Sequence, residues 1–194
     1  TIRPRALEHL LASITASARL VATSQHSLLP GSAGGRPDAR VGRSLSYPFS
    51  ASFAWNDRGA LTTGVSVATT HRVDSLPGSF LDAWSRDVGG DVRRSFKLPK
   101  DWELKSDLRA RLAWQHTSTT SWVETTGLAS LRSRLADNGR EAISFNGDTD
   151  VADNLTFSLQ GARIVTYDNN LNRRLTQMVL SAVLQISFFA GELR

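Results

Sequence analysis

The sequence predicts an all-β protein: an antiparallel sheet of about seven or eight long alternating strands, a barrel or derived from one, with a short helical N-terminal arm. Three observations predict it. Apolar and polar residues alternate with period two across residues 44–55, 101–116, 154–167 and 177–189, and side chains of a strand point alternately to opposite faces. Turn-forming clusters such as Asn56-Asp57-Arg58-Gly59 and Asp168-Asn169-Asn170 separate these runs. No stretch reaches the ~18 consecutive apolar residues of a membrane-spanning helix.

The N-terminal segment differs from the rest. Leu7, Leu10, Leu11, Ile14, Ala18 and Val21 recur at helical spacing, so a helix is expected over residues 4–22. The same stretch also reads as a strand over 13–23, because Ile14, Ala16, Ala18, Leu20 and Ala22 alternate. Residues 30–42 carry Gly31, Gly34, Gly35, Pro37 and Gly42 and read as a linker. The expected organisation is an arm and linker over 1–43 and an antiparallel β domain over 44–194.

Within that domain, Leu45, Tyr47, Phe49, Ala51, Phe53 and Trp55 share one face. Ser44, Ser46, Pro48, Ser50, Ser52 and Ala54 share the other. Leu61, Thr63, Val65 and Val67 follow the turn at 56–59, which makes a hairpin. The connection 72–90, with Pro77, Gly78, Phe80 and Trp84, has room for a short helix. Residues 101–116 place Trp102, Leu104, Leu108, Ala110, Leu112 and Trp114 opposite Glu103, Lys105, Asp107, Arg109, Arg111 and Gln115. Shorter strands are expected at 91–98, 128–135 and 141–148, with turn or loop signals at Asn138-Gly139 and over 148–154. Leu155, Phe157, Leu159, Val165 and Tyr167 face one way. In the last run Met178, Leu180, Ala182, Leu184, Ile186 and Phe188 do the same, with Val179, Val183 and Phe189 interrupting the polar side.

Two environments satisfy a two-faced strand: a soluble sheet packed on a second layer, or a membrane barrel with lipid on one side and a wet lumen on the other. Runs of ten or more residues suit a tilted strand crossing a ~30 Å hydrocarbon layer. The aromatics Tyr47, Trp55, Trp102, Trp114, Trp122, Tyr167 and Phe189 fall towards run ends, where an interfacial girdle needs them. The crowded charges at Glu103, Lys105, Arg109 and Arg111 suit a lumen.

Chemistry is sparse. With no cysteine among 194 residues, disulfides, thiolate metal sites and cysteine nucleophiles are excluded. His9, His26, His71 and His116 stand far apart. Asp148-Thr149-Asp150-Val151-Ala152-Asp153 lacks the glycine of a calcium loop and has Leu159 where the closing Glu belongs, so it reads as a solvated loop. Gly64-Val65-Ser66-Val67-Ala68 lacks the second glycine of a nucleophile elbow, and Asn154-Leu155-Thr156 is a chance glycosylation triplet. The expectation is a non-enzyme with no catalytic, cofactor-binding or metal residue. The 23 basic residues, 20 of them Arg, against 18 acidic give a net charge of +5. They are scattered, without the basic block of a nucleic-acid binder. Membrane lipid or a larger membrane protein complex is the expected partner, with other protein subunits; nucleic acid and a small-molecule substrate are not.

Five segments resemble a known family. Ser95-Phe96-Lys97-Leu98-Pro99, Asp107-Leu108-Arg109-Ala110-Arg111-Leu112, Asp153-Asn154-Leu155-Thr156-Phe157-Ser158-Leu159-Gln160-Gly161, Asp168-Asn169-Asn170-Leu171-Asn172-Arg173-Arg174 and residues 185–194 are similar to the C-terminal strands of the SprA (Sov) family. The resemblance spans residues 44–194 and is densest after Asp137. That family forms the very large outer-membrane barrel of type 9 secretion, so the resemblance implies a non-catalytic outer-membrane barrel segment in a bacterial envelope. Two features depart from it: the Gly191-Glu192-Leu193-Arg194 ending beyond Phe188-Phe189, and the helix-like N-terminal arm. The alternative expectation is an extrinsic β-rich subunit, peripheral on a membrane complex such as an energy-converting or photosynthetic assembly, which it braces.

Overall fold

A computed structural model describes residues 10–29, 38–57, 60–76, 78–99, 101, 104–125 and 131–187. They form one antiparallel sheet of nine strands: β1 (Leu11–Ala18), β2 (Val21–Leu29), β3 (Asp38–Trp55), β4 (Thr62–Leu76), β5 (Ser79–Phe96), β6 (Leu108–Thr125), β7 (Leu131–Ala152), β8 (Leu155–Asp168) and β9 (Arg173–Ile186). From β3 to β9 each strand pairs with the next. Both β1 and β2 pair with β3. Among the described residues there is no α-helix, and β9 is not paired with β1 or β2, so the sheet is open.

The expected N-terminal helix is therefore corrected over residues 10–22, where the chain forms β1 and the start of β2; residues 1–9 lie outside the described part. The alternation of Ile14, Ala16, Ala18 and Ala22 prevails over helical spacing because β3 offers this segment a ladder and an apolar face. Ala18 lies opposite Phe49 and Val21 opposite Ser46, in one continuous register. Pro48 explains the break between β1 and β2. The Arg19 amide donates to the Pro48 carbonyl at 3.0 Å, but proline has no N–H to return to Arg19, and the pairing lapses there. β1 and β2 thus act as one interrupted edge strand, and the sheet has eight strand positions.

Other expectations change in the same direction, towards longer strands. Asp38–Gly42, expected as the end of a linker, opens β3. The connection 72–90 holds no helix among its described residues; β4 and β5 run to a tight turn at Gly78, which has φ 76°. Asn138-Gly139 is not a turn but the interior of β7, and the acidic stretch from Asp148 is strand as far as Ala152. At Asn138-Gly139 partner strands on either side satisfy the backbone; past Asp148 β8 pairs on one side, and the Lys105 and Ser106 amides donate to the Asp150 carbonyl on the other, which overrides local turn preference. Only Arg109 and Arg111 of the expected charged set lie on β6. Lys105 precedes it, and Trp102 and Glu103 fall outside the described residues. The hairpin expected over 44–67 is β3–β4, with Ala54 opposite Thr62.

The sheet is a single layer. Its accessible surface is 14491 Å², where a compact monomer of 21.2 kDa exposes about 9,100 Å². Among the described residues, Leu11, Ala51 and Val165 alone are buried hydrophobics. Among the described residues no core of the usual kind forms; what organises them is a pair of faces.

Candidate functional site

Directly paired residues in an antiparallel sheet share a face, so the register sorts every side chain. One face carries Phe49, Val67, Val88 and His116 in one row, and Phe53, Val92, Leu112, Phe145 and Leu180 in another. Tyr47, Trp55, Trp84, Trp114, Trp122 and Tyr167 stand on it too. The other face carries Ser50, Ser66, Gly89, Gln115, Ala142 and Ile164, and Ser52, Gly64, Asp91, Ala113, Ser144, Ala162 and Val179. The alternation read from each run is thus continuous across seven strands.

The apolar residues form a slanted band. On β3 the apolar run centres on position 50, and on β9 on position 182. Leu180 is in line with Phe53 through successive pairs. The centre therefore drifts by about five residues, roughly 17 Å, over six interstrand steps of about 4.8 Å, a slant of roughly 30°. Strands of membrane barrels tilt by about 35–45°. Along one side of the band stand Tyr47, Thr69, Arg86, His116, Glu141, Arg163 and Thr176, one residue on each of β3–β9, a line that shifts by a net two residues against the register. Aromatic rings gather along it. The His71 ring stacks on Trp84 at 4.0 Å, and His116 lies between Trp114 and Tyr167 at 6.4 and 6.3 Å. The Trp114 Nε1 donates to Glu141 Oε1 at 3.3 Å. Tyr167 lies over Gly139, where a Cβ would collide with its ring.

Two hollows lie over the polar face. A cavity of about 600 Å³ runs over it beside Ser50, Ser52, Ser66, Asp91 and Arg93, and one of about 510 Å³ beside Ser144, Asn146, Gln160 and Ser181. Ion pairs line it. Asp91 accepts from Arg93 at 2.8 Å and lies 3.6 Å from Arg111; Arg109 meets Asp148 at 2.6 Å and Asp150 at 3.5 Å. The Gln115 amide donates to Asp87 at 2.9 Å. So the two aspartates that suggested a calcium loop face an arginine, and Lys105 pairs with Asp153.

Beyond the band, towards the tip of β4, Asp74 is the most deeply buried side chain, 1% exposed. Arg40 and Arg72 each donate to it, at 2.9 and 2.8 Å. The Arg72 hydrogen bond, opposed by desolvation and helped by Arg40, holds its carboxyl below the usual range. Gly42 makes room: a Cβ there would lie 2.7 Å from Asp74 Oδ1. No sequence signal joins Arg40 to Asp74, which are brought together by register alone. Arg163 was equally hidden, and only counting parity through Gly161 places it on the apolar face.

His26 contacts Ser24 and His71 contacts Asp82; His9 lies outside the described residues. Among the described residues no three His or acidic side chains converge as a metal group. No family model matches the chain, and neither a curated protein nor a solved structure matches it.

Proposed function

We propose that this chain is a wall of an outer-membrane β-barrel that serves transport or secretion in a bacterial envelope, as the resemblance to the SprA family implies, and that it performs no catalysis. Its apolar face meets lipid and its polar face lines water. The observation that carries this reading is the sorting of side chains by register. One face bears serines, glycines and arginine–aspartate pairs, and the other bears large apolar side chains that stand exposed, with no second layer on them among the described residues. A soluble sheet with a core is built the other way, with its apolar side chains facing a second layer.

The strands also have the required reach. β3–β9 run 14 to 22 residues, where about 9–11 tilted residues cross the hydrocarbon. The excess lies in the β4–β5 and β6–β7 hairpins, whose outer halves carry Asp82, Glu124, Arg132, Arg134 and Asp137 on the band's face and suit the aqueous side.

The test is to refold the 194-residue chain with and without detergent micelles. Expected is precipitation in buffer, and in micelles a β-rich circular dichroism spectrum with heat-modifiable gel mobility. A soluble, β-rich monomer without detergent overturns the proposal and favours the extrinsic subunit.

A further inference from the structure

The apolar face is charged at one end and nearly uncharged at the other. Directly paired residues share a face, so the register sorts the charges. Towards the β4–β5 turn this face carries Arg43, Arg86, Arg132, Arg134 and Arg174, and Arg163 stands at the side of the band. Past the opposite side of the band, the described strands place one charge on it, Arg94, which pairs with Asp57 at 3.0 Å. The carboxylates at the charged end are engaged. Asp82 contacts His71 at 2.7 Å and lies 3.9 Å from Arg132. Asp137 accepts from Arg134 at 2.8 Å, Glu141 accepts from the Trp114 N–H at 3.3 Å, and Glu124 is directly opposite Arg132. Arg43, Arg86, Arg163 and Arg174 are left over. They are exposed, and among the described residues their side chains make no hydrogen bond or ion pair.

These four arginines adjoin apolar and aromatic side chains. Arg163 is paired on its two sides with Ile143 and Met178, and Arg174 is directly opposite Tyr167. Arg86 follows Trp84 and precedes Val88 on the same face of β5. A long arginine stem covers such neighbours while its guanidinium extends to a polar layer, and the planar fork matches phosphate oxygens two at a time. Tyr47 and Tyr167 stand at the same side of the band, where amphipathic rings suit headgroup depth. Resting on the membrane reading above, we propose that the side of the band marked by Arg86 and Arg163, with Arg43 and Arg174 beyond it, binds the phosphates of anionic lipid headgroups. The opposite side, where Asp57 neutralises Arg94, does not, so the wall prefers to set its β4–β5 end in a leaflet rich in anionic lipid.

The test is urea titration of the protein refolded into phosphatidylcholine vesicles and into vesicles of phosphatidylcholine mixed with phosphatidylglycerol. Expected is a higher folded-to-unfolded ratio in the anionic vesicles. Arg86→Gln and Arg163→Gln each lose about fivefold of that rise, and about 1 M salt, which cuts the screening length to about 3 Å, removes it. Arg140→Gln is the control. It removes the same charge from the polar face of β7, opposite Thr117, so any attraction between the unfolded chain and the vesicle changes equally. A loss for Arg140→Gln as large as for Arg86→Gln overturns the proposal, because net charge then accounts for the rise. Equal losses in phosphatidylcholine alone overturn it too, because the arginines then hold something other than anionic lipid. No rise in anionic vesicles, with heat-modifiable folding in phosphatidylcholine retained, overturns it while leaving the lipid-facing wall intact. A chain that folds without lipid or detergent removes the wall reading itself and the proposal with it.

Discussion

Replacing Leu112 by arginine separates lipid from water at the apolar face. Leu112 lies on β6 between Val92 and Phe145, near the midline of the band, and is 52% exposed. If that exposed surface faces water, Leu112→Arg changes stability by no more than about 0.5 kcal/mol. If it faces the middle of a bilayer, the cost is about 2–4 kcal/mol. That lowers the folded-to-unfolded ratio roughly 30- to 800-fold. Ser144→Arg is the internal control. It sits on the adjacent strand β7, on the opposite face, beside the hollow of about 510 Å³, and its arginine stays wet, so about 0.5 kcal/mol or less is expected. The assay is urea titration of protein refolded into short-chain phosphatidylcholine vesicles, followed by fluorescence of the five tryptophans. Equal costs for the two variants, or a neutral Leu112→Arg in vesicles, refutes the assignment of faces.

Three further outcomes follow from particular contacts. Gly139→Val places a side chain under the Tyr167 ring and should cost about 1–3 kcal/mol of stability, with Tyr167→Ala in the same chain recovering part of it in a double-mutant cycle. Asp74→Asn weakens the bonds from Arg40 and Arg72 to a buried group and should cost about 1–3 kcal/mol in chemical denaturation. The depressed carboxyl of Asp74 means that its contribution is complete above the unfolded value near pH 3.9 and is lost as pH falls through the lower folded value. Wild-type stability should therefore fall below about pH 4 more steeply than that of Asp74→Asn. Pro48→Ala restores the donor missing opposite Arg19, so hydrogen exchange should show a protected amide at residue 48; a freely exchanging amide there contradicts the account of the β1–β2 break.

The class of fold was readable because parity needs no tertiary knowledge: Leu45 to Trp55 and Leu108 to Trp114 declare two faces by themselves. Strand lengths were less readable. Asn138-Gly139 and Asp148-Thr149-Asp150 carry turn chemistry, yet β6 and β8 pair with them and hold them extended, and a partner strand is not a local signal. The N-terminal helix failed for a related reason. Ile14 and Ala18 satisfy both periods, and the choice was made by Phe49, Ala51 and Phe53 on a strand more than thirty residues away. Of the polar contacts, the Arg109–Asp148 and Arg40–Asp74 pairs depend on register across long separations and could not be read from spacing.

The extrinsic-subunit reading makes different demands on the same face. A protein partner covering it would place the aromatic anchors near the centre of the patch and would leave Arg163 buried against it, a costly charge without a matching carboxylate. The arrangement runs otherwise. Tyr47, Tyr167 and the stacked His71–Trp84 pair, aromatics with a polar atom, stand at or beyond one border, while the interior holds Phe53 and Phe145 among Val65, Val67, Val92, Leu112, Ile143 and Leu180. Trp114 turns its N–H to Glu141. Arg163 lies on β8 between Ile143 and Met178; on the proposed lipid-facing reading its stem lies along these apolar neighbours while its guanidinium extends towards headgroups.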